Sequence, residues 1–244
     1  MAVIYQKSAY LNDVKRHYCP GCSHGIAHKI VGEVLEEMGL LEKTIMVAPV
    51  GCSGLLYDYS NTDGIHALHG RAPAVATGVK AVHPDKIVYA YQGDGDLISI
   101  GTGETVSAAA RGENITVIFA NNSIFGMTGG QMAGTTLVGE KTSTCRDGRN
   151  PQVDGYPVGV CEMLAPLQGA KYIARASLHD VPHILKAKQM IRTAFEYQLN
   201  NRGYSLVELL CACPTNLKMS PTDACRWVGE EMTKTFPLGV FKEE

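Results

Sequence analysis

The chain has 244 residues, 45% of them hydrophobic, with 22 Lys and Arg against 24 Asp and Glu and a formal net charge of −2. Interspersed signs exclude the basic footprint of a nucleic-acid or anionic-membrane binder, and no apolar stretch approaches the ~20 residues of a membrane span. The polar start MAVIYQKSAYLNDVKRHY does not read as a signal peptide, so the expectation is a soluble, cytoplasmic protein forming one α/β domain over residues 1–244.

Residues 1–18 form a polar, irregular arm leading into Cys19-Pro20-Gly21-Cys22, followed by a helical pattern from Ile26 to Met38 ended by Gly39. With eight cysteines in a chain of this kind, metal ligands, redox groups or buried thiols are expected before disulfides. A thioredoxin-like pair follows a buried strand, and residues 11–18 are too charged for one. A zinc knuckle needs two more Cys or His. An iron–sulfur cluster needs four cysteines, which separate loops can supply. Two inert thiols in a turn are the plain alternative.

Thr44 to Pro49 is the next strand, and it ends in Gly51-Cys52-Ser53-Gly54. Residues 55–65 are aromatic and polar and read as a surface excursion. The run HALHGRAP then opens a helix of small residues, Ala74 to Val82, with Pro73 near its first turn. Arg71 there suits bidentate capture of a phosphate or carboxylate, and equally a surface salt bridge. His69, taken alone, reads as a satisfied turn histidine.

The centre of the chain is Lys86 to Gln131. Ile87 to Gln92 is a β-branched and aromatic run that stops at Gly93-Asp94-Gly95, and Ile115 to Ala120 is a second, stopping at Asn121-Asn122. Ile98 to Arg111 is long enough to cross between them as a helix. Such a βαβ unit places its ligand beyond the carboxyl ends of the strands, so Asp94 and Asn122 are expected side by side. A carboxylate, an amide oxygen and the backbone carbonyl of Ile124 are hard donors suited to Mg²⁺. Gly93 and Gly95 let the backbone turn and approach a phosphate. A Rossmann dinucleotide site fails here, because the third residue after Gly95 is Ile98 rather than glycine.

Ser123 to Pro157 is rich in Gly, Thr and Ser and reads as a loop covering the proposed metal site. Thr128, Gly129, Gly130 and Gln131 are within reach of a diphosphate, and Phe125 and Met127 are apolar wall candidates. Lys141, Arg146 and Arg149 form a loose basic group, either for an anionic ligand or partner or as a solvated face. The rest reads as scaffold: a helix from Val160 to Leu167, a strand from Tyr172 to Ala176, and a helix from Val181 to Leu199. A strand from Tyr204 to Cys211 and a terminal helix from Pro221 to about Lys234 follow, with Trp227 as a packing residue. Cys211 and Cys213 close the last strand on one face, and either can join Cys19, Cys22 and Cys52. Cys145, Cys161 and Cys225 read as ordinary thiols.

Taken together, CPGCSHG, VGCSG, HALHGRAPAVATG, GDGD, NNSIFGMTGGQ and CPTN resemble the thiamine-diphosphate (ThDP)-binding beta subunit of 2-oxoacid:ferredoxin oxidoreductases, in order from about residue 17 to residue 216. The resemblance implies a mostly parallel central sheet with helices on both faces, the diphosphate-binding half of the ThDP fold. It implies CoA-dependent oxidative decarboxylation of a 2-oxoacid to acyl-CoA and CO₂, with electrons leaving singly through a [4Fe–4S] cluster to ferredoxin. Asp94, Asn122 and the Ile124 carbonyl then correspond to Mg²⁺ ligands. Cys19, Cys22, Cys52 and Cys213 correspond to cluster ligands, the cysteine before Pro-Thr selecting Cys213 over Cys211. Ser23 stands where some relatives have glycine.

On the same resemblance, the cofactor contacts are Cys52, Ser53, His69, Gly93, Asp94, Gly95, Asp96, Asn122, Ile124, Gly126, Met127 and Thr128, and the catalytic candidates are His69 and Arg71. No second, pyrimidine-binding domain fits in 244 residues. An alpha subunit supplying the activating glutamate is therefore implied, together with gamma and ferredoxin-like subunits. Leu55, Phe125 and Met127, without a lysine to pair a second carboxylate, point to a branched-chain 2-oxoacid such as 2-oxoisovalerate. The alternatives are a non-oxidative ThDP decarboxylase or carboligase without a cluster, and a non-catalytic zinc-binding subunit.

Overall fold

The computed structural model describes residues 6–244. In chain order the strands are β1 (Thr44–Ala48), β2 (Asp63–His66), β3 (Ile87–Gly93), β4 (Thr116–Asn121), β5 (Ile124–Phe125), β6 (Gln131–Met132), β7 (Ala170–Ser177), β8 (Tyr204–Leu210) and β9 (Gly239–Glu243). Seven of them form one sheet in the order β2-β1-β3-β4-β8-β7-β9, and β5 pairs with β6 in a small ribbon. All neighbours in the large sheet are parallel except β9, which runs antiparallel to β7.

The central strands are apolar nearly throughout because both faces of the sheet are covered. Val88 and Ala90 point to one face, where α2 (Ala72–Val82) and α3 (Thr102–Arg111) pack with Val47, Val117 and Phe119. Tyr89 and Tyr91 point to the other, where α1 (His24–Glu37) and α4 (Val181–Leu199) bring Val31, Ile191 and Phe195. Each such side chain contributes roughly 1.5–3 kcal/mol by leaving water. A third cluster, around Leu210, Val228 and Phe236, seats α5 (Pro221–Trp227) and the turns after it beside the end of β8.

Several elements differ from the sequence reading. The crossover is two pieces: a wide helical turn over Gly95–Ile100, then α3. Gly101 separates them, and a Cβ there would come within 2.4 Å of the Gly70 carbonyl oxygen. The excursion at residues 55–65 contains a short helix, Leu56–Tyr59, with Leu56 and Tyr59 buried, and then β2. All four residues of β2 are exposed on the sheet edge, which left no apolar pattern to read. Strand β9 is partly charged and was hidden for the same reason. Of the expected arm, residues 1–5 lie outside the described residues; Tyr10 is fully buried and hydrogen-bonds the Tyr89 hydroxyl.

Candidate functional site

Four chain segments leave the carboxyl ends of β1, β3, β4 and β8 on one rim. Gly93 is level with Ala120 in the β3–β4 register, so the next residues out, Asp94 and the Asn121-Asn122 pair, share that rim. Asp94 is 2% exposed and Asn122 7%. Asp94 Oδ1 accepts from the Gly95 N–H at 2.8 Å. Its Oδ2 accepts from the Ile124 N–H at 3.0 Å and from Thr135 Oγ1 at 2.9 Å. The same Ile124 N–H reaches Asn122 Oδ1 at 3.4 Å. Between them Ser123 adopts φ +63, a left-handed conformation unusual for a residue with a side chain. Asn121 Oδ1 fixes this turn by accepting from the Ser123 N–H at 3.1 Å. Strain of this kind, about 1–3 kcal/mol, persists where surrounding contacts over-determine it.

Burial pushes the Asp94 carboxyl up to about 6. Hydrogen bonds from Thr135 and nearby backbone oppose that rise, and among the described residues no Lys, Arg or His forms a salt bridge with it. A buried acid without a counter-charge, beside an amide oxygen at a strand end, fits a hard divalent cation.

A cleft opens above this pair. It is lined by Cys52, Ser53, His69, Gly93, Asp94, Gly95, Asp96, Asn122, Ile124, Gly126, Met127 and Thr128, together with His24, Val50, Gly51 and Phe125. The structure thus brings every cofactor contact expected from the sequence to one place. The Phe125 ring lies on Gly95, where a Cβ would come within 2.3 Å of it. A larger cavity, about 1010 Å³, lies beyond Gly129 and Gly130 toward Trp227. It does not include Asp94 or Asn122, which line the smaller cleft.

The two catalytic candidates part company. Asp96 takes His69 Nδ1 at 2.6 Å and also accepts from the Gly70 N–H at 2.8 Å and from Gln92 Nε2 at 2.6 Å. This leaves Nε2 of His69 as the ring nitrogen available to a ligand. Arg71 is not among the residues lining the cleft. Its side chain is 47% exposed and pairs closely with Glu104, the salt bridge its position equally allowed.

Cys52 and, through Asn216, Cys213 lie beside Gly126. A Cβ on that glycine would lie 3.5 Å from Cys52 Sγ, 3.6 Å from Asn216 Nδ2 and 3.8 Å from Asn122 Nδ2. Asn216 Nδ2 in turn donates to Cys213 Sγ at 3.2 Å and to the Gly126 carbonyl at 3.1 Å. Burial pushes Cys22 up to about 12, with Cys213, Cys52 and Cys19 adding to the rise. Cys52 is pushed to about 11, again by burial first, then by Cys213, Cys19 and Asp94. Thiols that oppose one another's ionisation fit a shared cationic centre, which would stabilise them as thiolates. Cys211 is buried in the core cluster of α1 and β3, and after burial Cys22, Asp94 and Cys213 also raise its thiol.

Some residues of the rim had no legible signal. Thr135 and Glu140 come from the covering loop. Glu140 accepts from Ser123 Oγ at 2.6 Å and from the Leu137 N–H at 2.9 Å. Burial pushes its carboxyl up to about 7. Tyr18 donates to the Cys52 carbonyl at 3.0 Å and lies 2.7 Å from His28 Nε2. His24 is held down to about 4 by burial. For these two histidines the signal was present, an i, i+4 pair directly after the Cys-x-x-Cys. Arg149 corrects the sequence reading outright. It is neither solvated nor aimed at a ligand, being 5% exposed. It donates to the carbonyls of Thr136 at 2.7 Å, Gly155 at 2.8 Å and Tyr156 at 2.8 Å, tying the covering loop to itself.

Comparison with known proteins agrees with this geometry. The family model "Thiamine pyrophosphate enzyme, C-terminal TPP binding domain" matches residues 49–209, which defines the class: a thiamine pyrophosphate enzyme domain. Ketoisovalerate oxidoreductase subunit VorA of Methanothermobacter thermautotrophicus is 49% identical over 93% of the chain and 48% of its own length. The 2-oxoglutarate synthase subunit KorB of Archaeoglobus fulgidus is 33% identical over 93% of the chain and 84% of its length. A structure of 2-oxoglutarate:ferredoxin oxidoreductase from Magnetococcus marinus, with 2-oxoglutarate, coenzyme A and succinyl-CoA bound, superposes with a TM-score of 0.81 at 26% identity. That superposition covers 96% of this chain and 84% of the other. The chain belongs to the beta subunits of the 2-oxoacid:ferredoxin oxidoreductase family. It spans about half the length of the ketoisovalerate oxidoreductase subunits it matches. No helix among the described residues is long and apolar enough to cross a membrane.

Proposed function

We propose that this chain is the cofactor-binding part of a cytoplasmic, CoA-dependent oxidoreductase that decarboxylates a branched-chain 2-oxoacid and passes the electrons to ferredoxin. The observation that carries the reading is the shared rim. A buried acid with neutral donors and an amide line one cleft together with Cys52, one of several mutually interacting thiols.

Asp94, Asn122 and the Ile124 carbonyl hold Mg²⁺, and the glycine-rich backbone at Gly93, Gly95 and Thr128 faces the diphosphate. Bound ThDP supplies the electron sink for carbanion chemistry. His69, fixed by Asp96, presents Nε2 to orient the substrate or hold a proton at that atom. Cys19, Cys22, Cys52 and Cys213 hold the [4Fe–4S] cluster. Gly126 keeps cofactor and cluster sides close because it has no side chain between them.

In this reading residues 1–244 act as one domain, and the pyrimidine side of the cofactor comes from an alpha subunit. Gamma and ferredoxin-like subunits complete the assembly. The cleft is lined by Val50, Phe125 and Met127, and no Lys or Arg is among its described lining residues. This favours a substrate with one carboxylate and an apolar tail; Leu55, expected here, is not in the lining. Similarity to ketoisovalerate oxidoreductase subunits points the same way. Steady-state rates of ferredoxin reduction by the anaerobically purified complex provide the test. Higher kcat/KM for 3-methyl-2-oxobutanoate than for 2-oxoglutarate is expected, and the reverse order overturns the substrate assignment.

A further inference from the structure

Away from the cleft, the turn between β7 and α4 gathers a second set of donors. His179, Asp180 and His183 each offer one ligand atom, and these atoms all lie within 4.8 Å of one another. His183 Nδ1 is 2.5 Å from Asp180 Oδ1, and His179 Nε2 is 3.3 Å from Asp180 Oδ2. The two imidazole centroids are 4.2 Å apart.

Each ring is aimed by its surroundings. The hydroxyl of Ser177, a buried β7 residue, engages His179 Nδ1 at 2.7 Å, so Nε2 is the nitrogen left for a ligand. Gly229 packs on the same ring, and a Cβ there would come within 2.8 Å of His179 Cδ2. His183 is set by the helix cap: Asp180 Oδ1 accepts its N–H at 2.9 Å. His183 also borders a cavity of about 220 Å³. Lys186 and Arg175 border the same cavity, and the Arg175 guanidinium is already held by Glu162 and Glu208.

Capping the helix requires only Asp180. Two imidazoles brought to the same carboxylate, one of them held by an outer hydroxyl, are the donor set of a late first-row divalent cation rather than of Mg²⁺. We propose that His179, Asp180 and His183 form a second cation site that takes Zn²⁺ through three protein ligands, with water or a small anion in the fourth position. On binding, the metal takes the place of the proton between His183 Nδ1 and Asp180 Oδ1, and the ring ligates as the neutral tautomer with its proton on Nε2.

Zn²⁺ alone, titrated calorimetrically into the chelator-washed, anaerobically purified complex, tests this. One equivalent should bind. Binding should weaken about 100-fold in His183→Ala and in His179→Ala, and about tenfold in Ser177→Ala, whose only role here is to orient His179. X-ray absorption of the one-equivalent complex should show a shell of nitrogen and oxygen only. Absence of binding, affinity unchanged from the parent in either histidine variant, or sulfur in the zinc shell overturns the assignment.

Discussion

Two buried acids, on strands separated only by β4, are treated in opposite ways. Glu208, inside β8, is fully buried and its carboxylate is matched within the chain. Arg175 Nε donates to Oε2 at 2.7 Å, Asn121 Nδ2 donates to Oε1 at 2.7 Å, and Cys161 Sγ lies 3.2 Å from Oε2. The Arg175 guanidinium also binds Glu162 at 2.7 Å and sits 4.8 Å from the Phe241 ring, pinning β9 to the sheet. Asp94, at the end of β3, has neutral donors only. The region that only has to stay folded carries its own counter-ion, and the region that has to bind leaves one out. Fold and site therefore respond to different substitutions.

The largest effect is expected on the sulfur side of the rim. Cys52→Ser should remove the iron–thiolate absorbance of the anaerobically purified protein and abolish ferredoxin reduction. Retained colour and full activity would take Cys52 out of the cluster. Next is the acid itself. Asp94→Asn should weaken Mg²⁺-dependent ThDP binding by about 100-fold, equivalent to about 3 kcal/mol, as read by calorimetry. The metal-free variant should melt no lower than the parent, because an unmatched buried charge has been removed. A drop of several degrees would mean that Asp94 is already compensated, and the contrast with Glu208 would collapse.

Arg175→Leu makes the opposite experiment. It leaves Glu208 buried without its counter-charge and should cost about 3–5 kcal/mol of stability, measured by denaturant unfolding. Metal-dependent ThDP binding at low temperature should weaken far less than in Asp94→Asn, since Arg175 reaches the rim only through Glu208 and Asn121.

The rim was legible because its residues end strands. Gly93-Asp94-Gly95 and Asn121-Asn122 each stop an apolar run, and a parallel pairing puts such stops level. The interior was less so. Nothing in the spacing of Arg175 and Glu208 announces that they meet, because the pairing depends on β7 and β8 being neighbours in register. The covering loop was least legible. Thr135 reaches Asp94, and Arg149 gathers carbonyls from residues 133–156, through contacts with no period. Asp96 reads as a cofactor contact by its place in the motif, but in the structure its oxygens are taken by His69, Gly70 and Gln92. Edge strands β2 and β9 lacked the apolar pattern that marks the others.

Glu140 offers the mildest and most selective probe of the contrast. It belongs to the open region, with burial pushing its carboxyl up to about 7 and the charge of Asp94 adding to that rise. In the unfolded chain the same carboxyl titrates at its ordinary value of 4.5. Between these limits the folded protein holds a proton that the unfolded chain has lost. The Glu140 contribution to stability therefore falls as pH rises through the window and is flat above and below it. Glu140→Gln keeps the shape of the protonated acid, with one oxygen to accept and an amide to donate, and cannot ionise. Asp94 is present in both proteins, so the difference between their melting curves isolates Glu140. Without metal, the parent should lose about 2–4 °C more than the variant between pH 5 and pH 7.5, the shift expected for about 1 kcal/mol in a chain of this size. Parallel curves would mean that Glu140 already has a counter-charge in the free protein, and the covering loop would then belong with the self-sufficient interior around Glu208 rather than with the open rim.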